Sequence, residues 1–550
     1  MPTYKILLTD EVDPEGVAVL AGEPQLEVDV VPTLPAAELL GRIPAYDALV
    51  GRSATRITPE LLRAGSRLKV IGRAGVGVDN IAMDVATEQG IAVINAPAGN
   101  TIAVAELFFG AVIGMLRHLP HAATSMREGR WDRSQLLGHE LKGRTLGVVG
   151  VGRIGSEVAT RALAFGMNVV GYDPYVADDR FTSLRIRRAA SLEELLDQVD
   201  VLTVHTPLTA ETTGLIGQRE LRRLTPGAIV VNMARGGIVD DTALAAALES
   251  RRVQGAVLDV YDTEPLPKDH PIRRLPNTLL TPHIGASTHE AQRNVAVDVC
   301  EAVRDALLAG ELSRSINVAT TSGAAWSDLQ PLMQLVRRAS SLARAVLADQ
   351  GMRAVRRVAL RCGPDVVGAS GALLSAAALG ALEGVIDSGR VNVINARALA
   401  EARGLELSVA ESTQMGHPSA VEVALSGGMQ SLAVAGLALP GTAPRFTRIG
   451  AFHVDVAPRQ TLIVLTNNDV PGVIGRVGTL LGLRGVNIAE WHQARLAQGG
   501  EALAAIAVDS VVSEAVRKEL LEQPDVLGAT VVNFEPAEAS ASNGNGNGNG

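Results

Sequence analysis

The chain carries a glycine-rich loop between an apolar strand pattern and a helical pattern. The run Leu146–Gly150 leads into G-V-G-R-I-G at 150–155, and a helix is predicted over Ser156–Phe165. Gly150 permits a tight turn, Gly152 lets the backbone approach a pyrophosphate, and Gly155 allows the helix to pack close to the strand. The first N–H groups of the helix favour phosphate. This order of elements predicts a dinucleotide site, which a lone glycine motif would not.

Asp173 ends the next apolar run, V-V-G-Y-D-P, and predicts which dinucleotide binds. A carboxylate at this strand end can bond both ribose hydroxyls and repel a 2′-phosphate, so NAD is favoured over NADP. Taken alone, Asp173 could instead be a turn residue at a strand end. Together with the strand, the glycines and the helix, it supports an NAD site.

Short apolar runs alternate with helical patterns over the first 289 residues. The strands predicted in residues 1–95 are Lys5–Thr9, Leu26–Val31, Ala48–Val50, Leu68–Gly72 and Ala92–Asn95. Those predicted beyond a long helical pattern, Thr101–Gly129, are Thr145–Gly150, Val169–Tyr172, Val201–Thr203, Ile229–Asn232, Gly255–Asp259 and Thr278–Thr281. Another helix is predicted over Thr288–Ala309. This rhythm predicts a parallel α/β domain followed by a doubly wound domain.

Three polar signatures each follow an apolar strand: V-N-M-A-R-G-G at 231–237, D-V-Y-D-T-E-P-L-P at 259–267 and T-P-H-I-G-A at 281–286. Ligands of open α/β sheets sit at the carboxyl ends of the strands, so Arg235, Glu264 and His283 are expected to converge. Each residue alone has a structural reading, as a helix-start arginine, a turn acid or a packed histidine. Their joint spacing after a dinucleotide loop favours catalysis.

The three residues suit hydride transfer from a hydroxyl-bearing carbon. His283 can accept the hydroxyl proton, since the pKa of imidazole lies near working pH. Glu264 can orient the imidazole and stabilise its charged form. Arg235 can grip a substrate carboxylate and polarise the carbonyl in the reverse reaction.

With these motifs, residues 1–315 resemble the D-2-hydroxyacid dehydrogenase family. The resemblance implies that Arg235, Glu264 and His283 are catalytic and that NAD is the cofactor. It also implies a discontinuous, flavodoxin-like substrate domain (1–97 and 290–316) and a Rossmann-type NAD domain (98–289). The positions implied to line the cofactor are Gly150, Gly152, Arg153, Ile154, Gly155, Asp173, His205, Thr206, Pro207, Ala234, Asp259, His283, Gly285 and Ala286.

Four further stretches are similar to the branch of that family that oxidises 3-phospho-D-glycerate to 3-phosphooxypyruvate at the start of L-serine synthesis. They are G-R-S-A-T at 51–55, G-R-A-G-V-G-V-D-N at 72–80, N-A-P-A-G-N-T at 95–101 and G-R-W-D-R at 129–133. This resemblance implies that Arg52, Arg73 and Arg133 bind the phosphate and that Asn100 and Arg235 bind the carboxylate end. Arg133 is expected to act from a neighbouring subunit. A phosphate and a carboxylate together need several fixed cations, and arginine offers forked donors for both.

The C-terminal half suggests regulation. Residues 462–491 contain a D-x-P-G turn before an amphipathic helix, Val473–Leu483, and resemble an ACT domain, a small ligand-binding module with βαββαβ order. The resemblance implies an effector pocket at Asp469, Gly472 and Asn487, with L-serine as the inhibitor and a pocket between paired subunits. A purely oligomerising βα unit is the alternative reading.

The expected C-terminal layout is an α+β intervening domain (317–456), an ACT domain (457–535) and a disordered Asn/Gly tail (536–550). The intervening domain includes a predicted helix at 391–400. A homo-oligomer, either a dimer or a tetramer, is expected.

Composition excludes several other classes of protein. The net charge of −9 argues against general nucleic-acid affinity, because phosphate backbones require basic surfaces. Two distant cysteines, Cys300 and Cys362, cannot form a disulfide framework or a zinc motif, so no metal is expected. The N-terminus reads as a strand rather than a signal peptide, which favours a cytoplasmic protein. The uncharged stretches Val366–Leu382 and Val423–Pro444 are predicted to be a buried helix and a strand pair rather than membrane spans.

Two other functions stay open. A glyoxylate or hydroxypyruvate reductase would use the same Arg235, Glu264 and His283, but its substrates carry no phosphate and would not need Arg52, Arg73 and Arg133 together. A protein that senses NAD without catalysis could retain the fold. The intact catalytic set speaks against such a sensor.

Overall fold

The computed structural model describes residues 3–318, 326–352, 354–383 and 391–534. These residues form four β-sheets. The predicted parallel α/β architecture is confirmed in the first two sheets, which together hold the dinucleotide loop and the three polar signatures. The predicted disordered tail lies outside the described residues.

The first sheet has five parallel strands in the order β2-β1-β3-β4-β5. They are β1 (Tyr4–Leu8), β2 (Leu26–Val30), β3 (Ala48–Gly51), β4 (Val70–Arg73) and β5 (Ala92–Asn95). The helices between them are α1 (Pro14–Ala21), α2 (Ala36–Arg42), α3 (Pro59–Ala64) and α4 (Met83–Glu88). The central strands are largely apolar because helices cover both faces of a parallel sheet.

The second sheet has seven parallel strands in the order β12-β11-β10-β9-β6-β7-β8. They are β6 (Thr145–Val149), β7 (Asn168–Tyr172), β8 (Arg187–Arg188), β9 (Val201–Val204), β10 (Ile229–Asn232), β11 (Gly255–Leu258) and β12 (Thr278–Leu280). Its helices are α5 (Thr101–Leu116), α6 (Leu119–Arg127), α7 (Arg153–Ala164), α8 (Asp178–Leu184), α9 (Leu192–Leu196), α10 (Gln218–Arg223) and α11 (Asp241–Glu249). The strand order reverses between β6 and β9, which opens a crevice at their carboxyl ends.

The single helix predicted over Thr101–Gly129 is wrong. The chain forms α5 and α6 instead, and the two helices meet at a bend of 65°. His118 has a left-handed backbone (φ 52°) at the break, and Pro120 stands in the first turn of α6, where its missing N–H is tolerated. Among the described residues, no single helix is long and apolar enough to cross a membrane, and this bent pair passes that test only when its two helices are taken together.

Helix α12 (His289–Ala309) returns the chain to the first sheet. Its Val299 and Val303 belong to one buried core with Ile6 and Val50. A Cβ on Gly16 would lie 2.7 Å from the carbonyl carbon of Ala296, so α1 approaches α12 as closely as a glycine allows. The chain therefore leaves the first sheet after β5, forms the second sheet, and returns to pack against the first sheet through α12.

The third sheet is mixed, with the order β14-β13-β15-β16-β17-β18. Its elements are α13 (Trp326–Asp349), β13 (Arg357–Cys362), α14 (Ser370–Leu382), α15 (Ala396–Ala402), β14 (Glu406–Glu411), β15 (Val421–Gly427), β16 (Gln430–Leu437), β17 (Arg445–Ile449) and β18 (Phe452–Val456). The predicted buried helix and strand pair are confirmed as α14 and as β15 with β16.

The helix predicted over 391–400 is only partly correct. Residues 391–395 are not helical. The side chains of two asparagines in this stretch form hydrogen bonds with the segment at the end of α4 instead. The Nδ2 groups of Asn392 and Asn395 donate to the carbonyls of Gly90 (2.8 Å) and Glu88 (3.1 Å), at the end of α4. This contact joins the third sheet's segment to the first sheet.

The fourth sheet is antiparallel, with the order β20-β21-β19-β22. Its elements follow a βαββαβ order: β19 (Thr461–Asn468), α16 (Val473–Leu483), β20 (Ile488–Arg495), β21 (Glu501–Val508), α17 (Glu514–Leu521) and β22 (Val526–Asn533). Side chains alternate between its two faces. Ile463 and Leu465 pack with α16 and α17, whereas Leu462 and Val464 share a core with α13.

Candidate active site

The glycine loop has the backbone geometry that the motif predicts. Gly150 has φ +91°, and a Cβ there would lie 2.7 Å from the carbonyl oxygen of His205. A Cβ on Gly155 would lie 2.0 Å from the carbonyl oxygen of Gly150, so α7 packs directly on the turn. Gly152, at the start of α7, has no atom within 4 Å of a Cβ position. This open space at a helix N-terminus fits a dinucleotide pyrophosphate.

Asp173 lies at the end of β7, beside that loop. Its carboxylate accepts hydrogen bonds from the backbone N–H groups of Val151 (2.9 Å) and Tyr175 (3.0 Å). The acid is thereby fixed next to the glycine turn, where a ribose of a bound dinucleotide is expected.

His205 and Thr206 form the opposite wall of the crevice, directly after β9. The Nδ1 atom of His205 and the Oγ1 atom of Thr206 are buried and have no hydrogen-bond partner within the described chain. Nε2 of His205 lies 3.0 Å from Oγ1 of Thr203. Burial lowers the pKa of His205 to about 4, so its imidazole is neutral at physiological pH. Buried polar atoms without partners are rare, and these fit a polar ligand in the crevice.

The other residues expected to line the cofactor lie on the same loops. Arg153 and Ile154 begin α7, and Pro207 follows Thr206. Ala234, Gly285 and Ala286 flank the catalytic candidates Arg235 and His283. Together these residues fit a bound NAD.

Glu264 and His283 meet as the strand-end pattern predicts. Nδ1 of His283 lies 2.8 Å from Oε2 of Glu264. The backbone N–H of Tyr261 donates to the other oxygen of Glu264 at 3.1 Å. His283 has a left-handed backbone, with φ +56°, and its side chain is half exposed to the crevice. The pair can therefore hold an imidazole with Nε2 free for a substrate proton.

Asp259 fixes the loop that carries His283. Its carboxylate is 1% exposed and accepts from Thr281 Oγ1 (2.6 Å) and from the N–H groups of Ile284 and Gly285 (2.8 Å each). The family resemblance implies that Asp259 lines the cofactor. In the structure its carboxylate instead faces protein donors, so its visible contribution is to the shape of the loop.

Arg235 sits on a loop held by Asn232. The Nδ2 group of Asn232 donates to the carbonyl of Arg235 (2.8 Å), and its Oδ1 accepts from the N–H of Ala234 (3.1 Å). The guanidinium Nη1 donates to the carbonyl of Ala234 (2.6 Å), and Nε donates to Asp79 (3.0 Å). Asp79 belongs to the segment of the first sheet, so Arg235 reaches across the crevice.

Three arginines, Arg52, Arg73 and Arg235, lie close enough together to interact electrostatically. Burial and the nearby guanidinium groups of Arg235 and Arg52 lower the pKa of Arg73 to about 10, while Asp79 and Asp10 act in the opposite direction. Arg73 stays charged at physiological pH, yet its Nε is buried and has no partner among the described residues. Its Nη1 donates to the carbonyl of Ala74 at 3.2 Å, and no carboxylate in the described chain forms an ion pair with it. A half-buried guanidinium beside other cations fits an anionic ligand.

Asn100 and Thr101 begin α5 at the same crevice edge. Asn100 Oδ1 and Thr101 Oγ1 are buried without hydrogen-bond partners in the described part of the chain. Arg133 differs from the other predicted substrate residues. It is exposed in a short helical turn, and no described contact joins it to the arginine cluster.

Two acidic residues of this site escape the sequence analysis. Asp79 pairs with Arg235, and the buried Asp10 accepts from the N–H of Arg52 (2.8 Å) and from Thr55 Oγ1 (2.7 Å). Both follow strands of the first sheet directly or by a short loop. The same strand-end position indicates Glu264 and His283 in the second sheet. It is the sequence signal from which Asp79 and Asp10 could have been predicted.

The predicted effector residues do not converge within one chain. Asp469 follows Asn468, which pairs with Glu501, and its carboxylate accepts from Arg495 (3.1 Å) and the N–H of Gly499 (3.1 Å). Gly472 lies nearby at the start of α16, with φ +93°.

Asn487 is at the other end of the same strands. Its Nδ2 group donates to the carboxylate of Asp509 (2.7 Å). The next residue, Ile488, pairs with Val508. Strand β21, which runs between these two ends, spans roughly 23 Å at about 3.3 Å per residue.

Comparison with known proteins agrees with this geometry. Residues 109–285 match the family model described as the D-isomer specific 2-hydroxyacid dehydrogenase, NAD binding domain. The D-3-phosphoglycerate dehydrogenase of Bacillus subtilis (strain 168) is 36% identical over 535 residues, covering 96% of this chain and 100% of that protein. The protein of that name from Mycobacterium tuberculosis (strain H37Rv) is 37% identical over 532 residues, covering 96% of this chain and 99% of its own.

Solved structures resemble the first half of the chain. The TT0316 protein of Thermus thermophilus is 39% identical with a TM-score of 0.51, covering 55% of this chain and 96% of that one. A glyoxylate reductase from Paecilomyes thermophila is 33% identical with a TM-score of 0.52, covering 57% and 98%. The family resemblance expected from the sequence is confirmed. The chain is an NAD-dependent enzyme that belongs to the D-isomer specific 2-hydroxyacid dehydrogenase family, where it groups with the D-3-phosphoglycerate dehydrogenases.

Proposed function

We propose that this enzyme oxidises 3-phospho-D-glycerate to 3-phosphooxypyruvate with NAD, the first committed step of L-serine synthesis. The observation that carries the proposal is the grouping of Arg52, Arg73 and Arg235 at the strand ends of the two parallel sheets, where the Glu264–His283 pair also follows a strand end. A substrate with a carboxylate at one end and a phosphate at the other matches several fixed guanidinium groups. The full-length relatives named D-3-phosphoglycerate dehydrogenase support the same substrate.

In the proposed reaction, Arg235 binds and polarises the substrate, and His283 with Glu264 transfers the proton. Arg235 holds the substrate carboxylate and draws electron density from the adjacent carbon–oxygen bond. His283 takes the hydroxyl proton at Nε2, because its Nδ1 is engaged with Glu264 at 2.8 Å. The Glu264 carboxylate then stabilises the imidazolium that forms. Bound NAD supplies the hydride acceptor.

The binding of NAD is assigned to the second sheet. The space at Gly152 and the N-terminus of α7 would receive the pyrophosphate, and Asp173 would bind a ribose. His205 and Thr206 offer buried polar atoms on the other wall. Asp173 also favours NAD over NADP by repelling a 2′-phosphate.

We further propose that the enzyme is a homo-oligomer in which Arg133 serves a neighbouring subunit. Large apolar side chains surround Arg133 in the sequence and lie at the surface: Leu119 (52% exposed), Met126 (57%), Trp131 (77%) and Leu137 (90%). A concentration of exposed apolar side chains is typical of a protein–protein interface. Pairing there would bring Arg133 to a second crevice.

Regulation by L-serine is proposed for the fourth sheet, read as an ACT domain over 457–535, with residues 317–456 as an intervening domain. The βαββαβ order and the D-V-P-G turn support this reading. Since Asp469 and Asn487 lie at opposite strand ends, one effector can touch both only between two copies of the chain.

The substrate is tested by following NADH loss with 3-phosphooxypyruvate and with unphosphorylated hydroxypyruvate. We expect kcat/KM to favour the phosphorylated acid by at least about 100-fold, since charge-assisted bonds each contribute about 1.5–3 kcal/mol. Equal or reversed preference would assign the site to a general hydroxypyruvate or glyoxylate reductase.

A second measurement separates catalysis from NAD sensing. The His283→Gln variant should still bind NADH and lose turnover. If cells that need serine synthesis grow equally well with this variant, the protein acts as a sensor and the enzymatic proposal fails.

A further inference from the structure

One ion pair joins the two sheets across the crevice. Nε of Arg235, on the loop after β10, donates to Oδ2 of Asp79 at 3.0 Å. Asp79 lies on the loop after β4, so the pair connects the sheet that carries the glycine loop to the sheet that carries Arg52 and Arg73.

The pair fixes the plane of the guanidinium group. Nε is held by Asp79 and Nη1 by the carbonyl of Ala234 at 2.6 Å. Gly77 leaves room for this arrangement, because a Cβ there would lie 2.1 Å from Nη2 of Arg235 and 2.7 Å from the Asp79 carboxylate. With Nε and Nη1 engaged, Nη2 is the guanidinium nitrogen for which the described residues provide no hydrogen-bond acceptor.

Stability does not explain the pair. The Asp79 side chain is 65% exposed and that of Arg235 is 27% exposed, and ion pairs in such surroundings contribute little to folding. The Asp79 carboxylate also offsets the charges of Arg73 and Arg235, which otherwise repel each other.

We propose that Asp79 is the positioning residue for Arg235: it orients the guanidinium toward the substrate carboxylate and ties the substrate-side loop to the catalytic loop. The inference rests on the proposed role of Arg235 in the reaction. Asp79 acts through Arg235 and does not itself touch the reacting atoms. A misplaced catalytic group costs turnover far more than it costs stability.

The test compares Asp79→Asn with Asp84→Asn, a matched loss of one exposed carboxylate on α4. We expect Asp79→Asn to lower kcat by about tenfold to a hundredfold while the KM for NAD and the midpoint of thermal unfolding stay unchanged. Asp84→Asn should leave all three unchanged. A lower substrate KM at unaltered kcat would overturn the proposal, since Asp79 would then compete with the substrate for Arg235.

A double-variant cycle makes the test independent of folding. Arg235→Lys removes Nε, so adding Asp79→Asn to it should change kcat by less than about twofold. An equal effect of Asp79→Asn in both backgrounds would contradict the positioning role. The assays use whichever D-2-hydroxy acid the unaltered enzyme prefers. Failure of the phosphorylated substrate in the unaltered enzyme therefore counts against the proposed function, and normal turnover by Asp79→Asn counts against this inference.

Discussion

Nδ1 of His283 lies 2.8 Å from Oε2 of Glu264, although the two residues stand on loops after different strands. The backbone N–H of Tyr261 donates to the other oxygen of Glu264. The carboxylate of Asp259 accepts from the backbone N–H of Ile284, the residue after His283. Each oxygen of the Glu264 carboxylate thus has one hydrogen-bond partner. This arrangement engages Nδ1 of His283 and leaves Nε2 as the ring nitrogen available to a substrate.

Glu264→Gln is expected to lower kcat by roughly 100-fold or more. Tyr261 N–H will retain the amide oxygen, so the amide NH₂ will face Nδ1 of His283. The imidazole then carries its proton on Nε2 and cannot accept the substrate proton. Steady-state turnover and NADH titration measure the effect. NADH affinity should not change, and Glu290→Gln, on the exposed start of α12, is the control. Turnover within about twofold of the unaltered enzyme would contradict this account.

Arg73→Lys is expected to reduce the preference for phosphorylated over unphosphorylated substrate by about tenfold to a hundredfold, because lysine keeps the positive charge but loses the fork that binds two phosphate oxygens. The ratio of kcat/KM for 3-phosphooxypyruvate and hydroxypyruvate measures the change. Arg56→Lys, at an exposed position of the neighbouring loop, should leave the ratio unaltered. An unaltered ratio in Arg73→Lys would place the phosphate elsewhere.

Two glycines of the dinucleotide loop should respond differently to alanine. Gly155→Ala puts a Cβ 2.0 Å from the carbonyl oxygen of Gly150, and we expect a loss of stability of roughly 1–3 kcal/mol. Gly152→Ala meets no protein atom within 4 Å, so the protein should unfold at an unaltered temperature and bind NADH at least about tenfold more weakly. Thermal unfolding with and without NADH distinguishes the two. Equal NADH affinity in Gly152→Ala would remove the pyrophosphate from this position.

Asp241 gives the enzyme a predictable dependence of stability on pH. Burial and the nearby Asp262 raise the pKa of Asp241 from 3.8 to about 6. The native state therefore binds this proton more tightly than the unfolded chain, and stability falls as pH rises through that interval. Asp241→Asn should add roughly 1–3 kcal/mol to the unfolding free energy at about pH 8 and nothing at about pH 3.5. Urea unfolding at both pH values measures it, with the exposed Asp269→Asn as control. A gain of equal size at both pH values would show that ionisation is not the cause.

Much of the first two sheets could be predicted from the sequence because their strands are buried on both faces. A strand such as Ile229–Asn232 is buried throughout and leads into polar residues, so its bounds can be read directly. The same rule brings Glu264 and His283 together, since carboxyl ends of parallel strands share one edge. Residue type at those ends then indicates the chemistry.

Contacts between loops of different sheets could not be predicted. Arg235 and Asp79 are 156 residues apart, and neither belongs to a periodic pattern. The break after α5 was not predicted either. The helical pattern continues past Leu116, whereas the turn depends on the left-handed backbone of His118. Asn392 and Asn395 show the same limit, since their hydrogen bonds to the end of α4 replace the helix that local propensity favours.

Both faces of the fourth sheet are packed against other parts of the described chain. Ile463 packs against α16 and α17 on one side, and Leu462 shares a continuous core with α13 on the other. A sheet enclosed in this way offers an incoming molecule only its strand ends and its edges. It also cannot slide over its neighbour without breaking close packing. A displacement of a strand end in this sheet would therefore disturb the packing of α13 as well as that of α16 and α17.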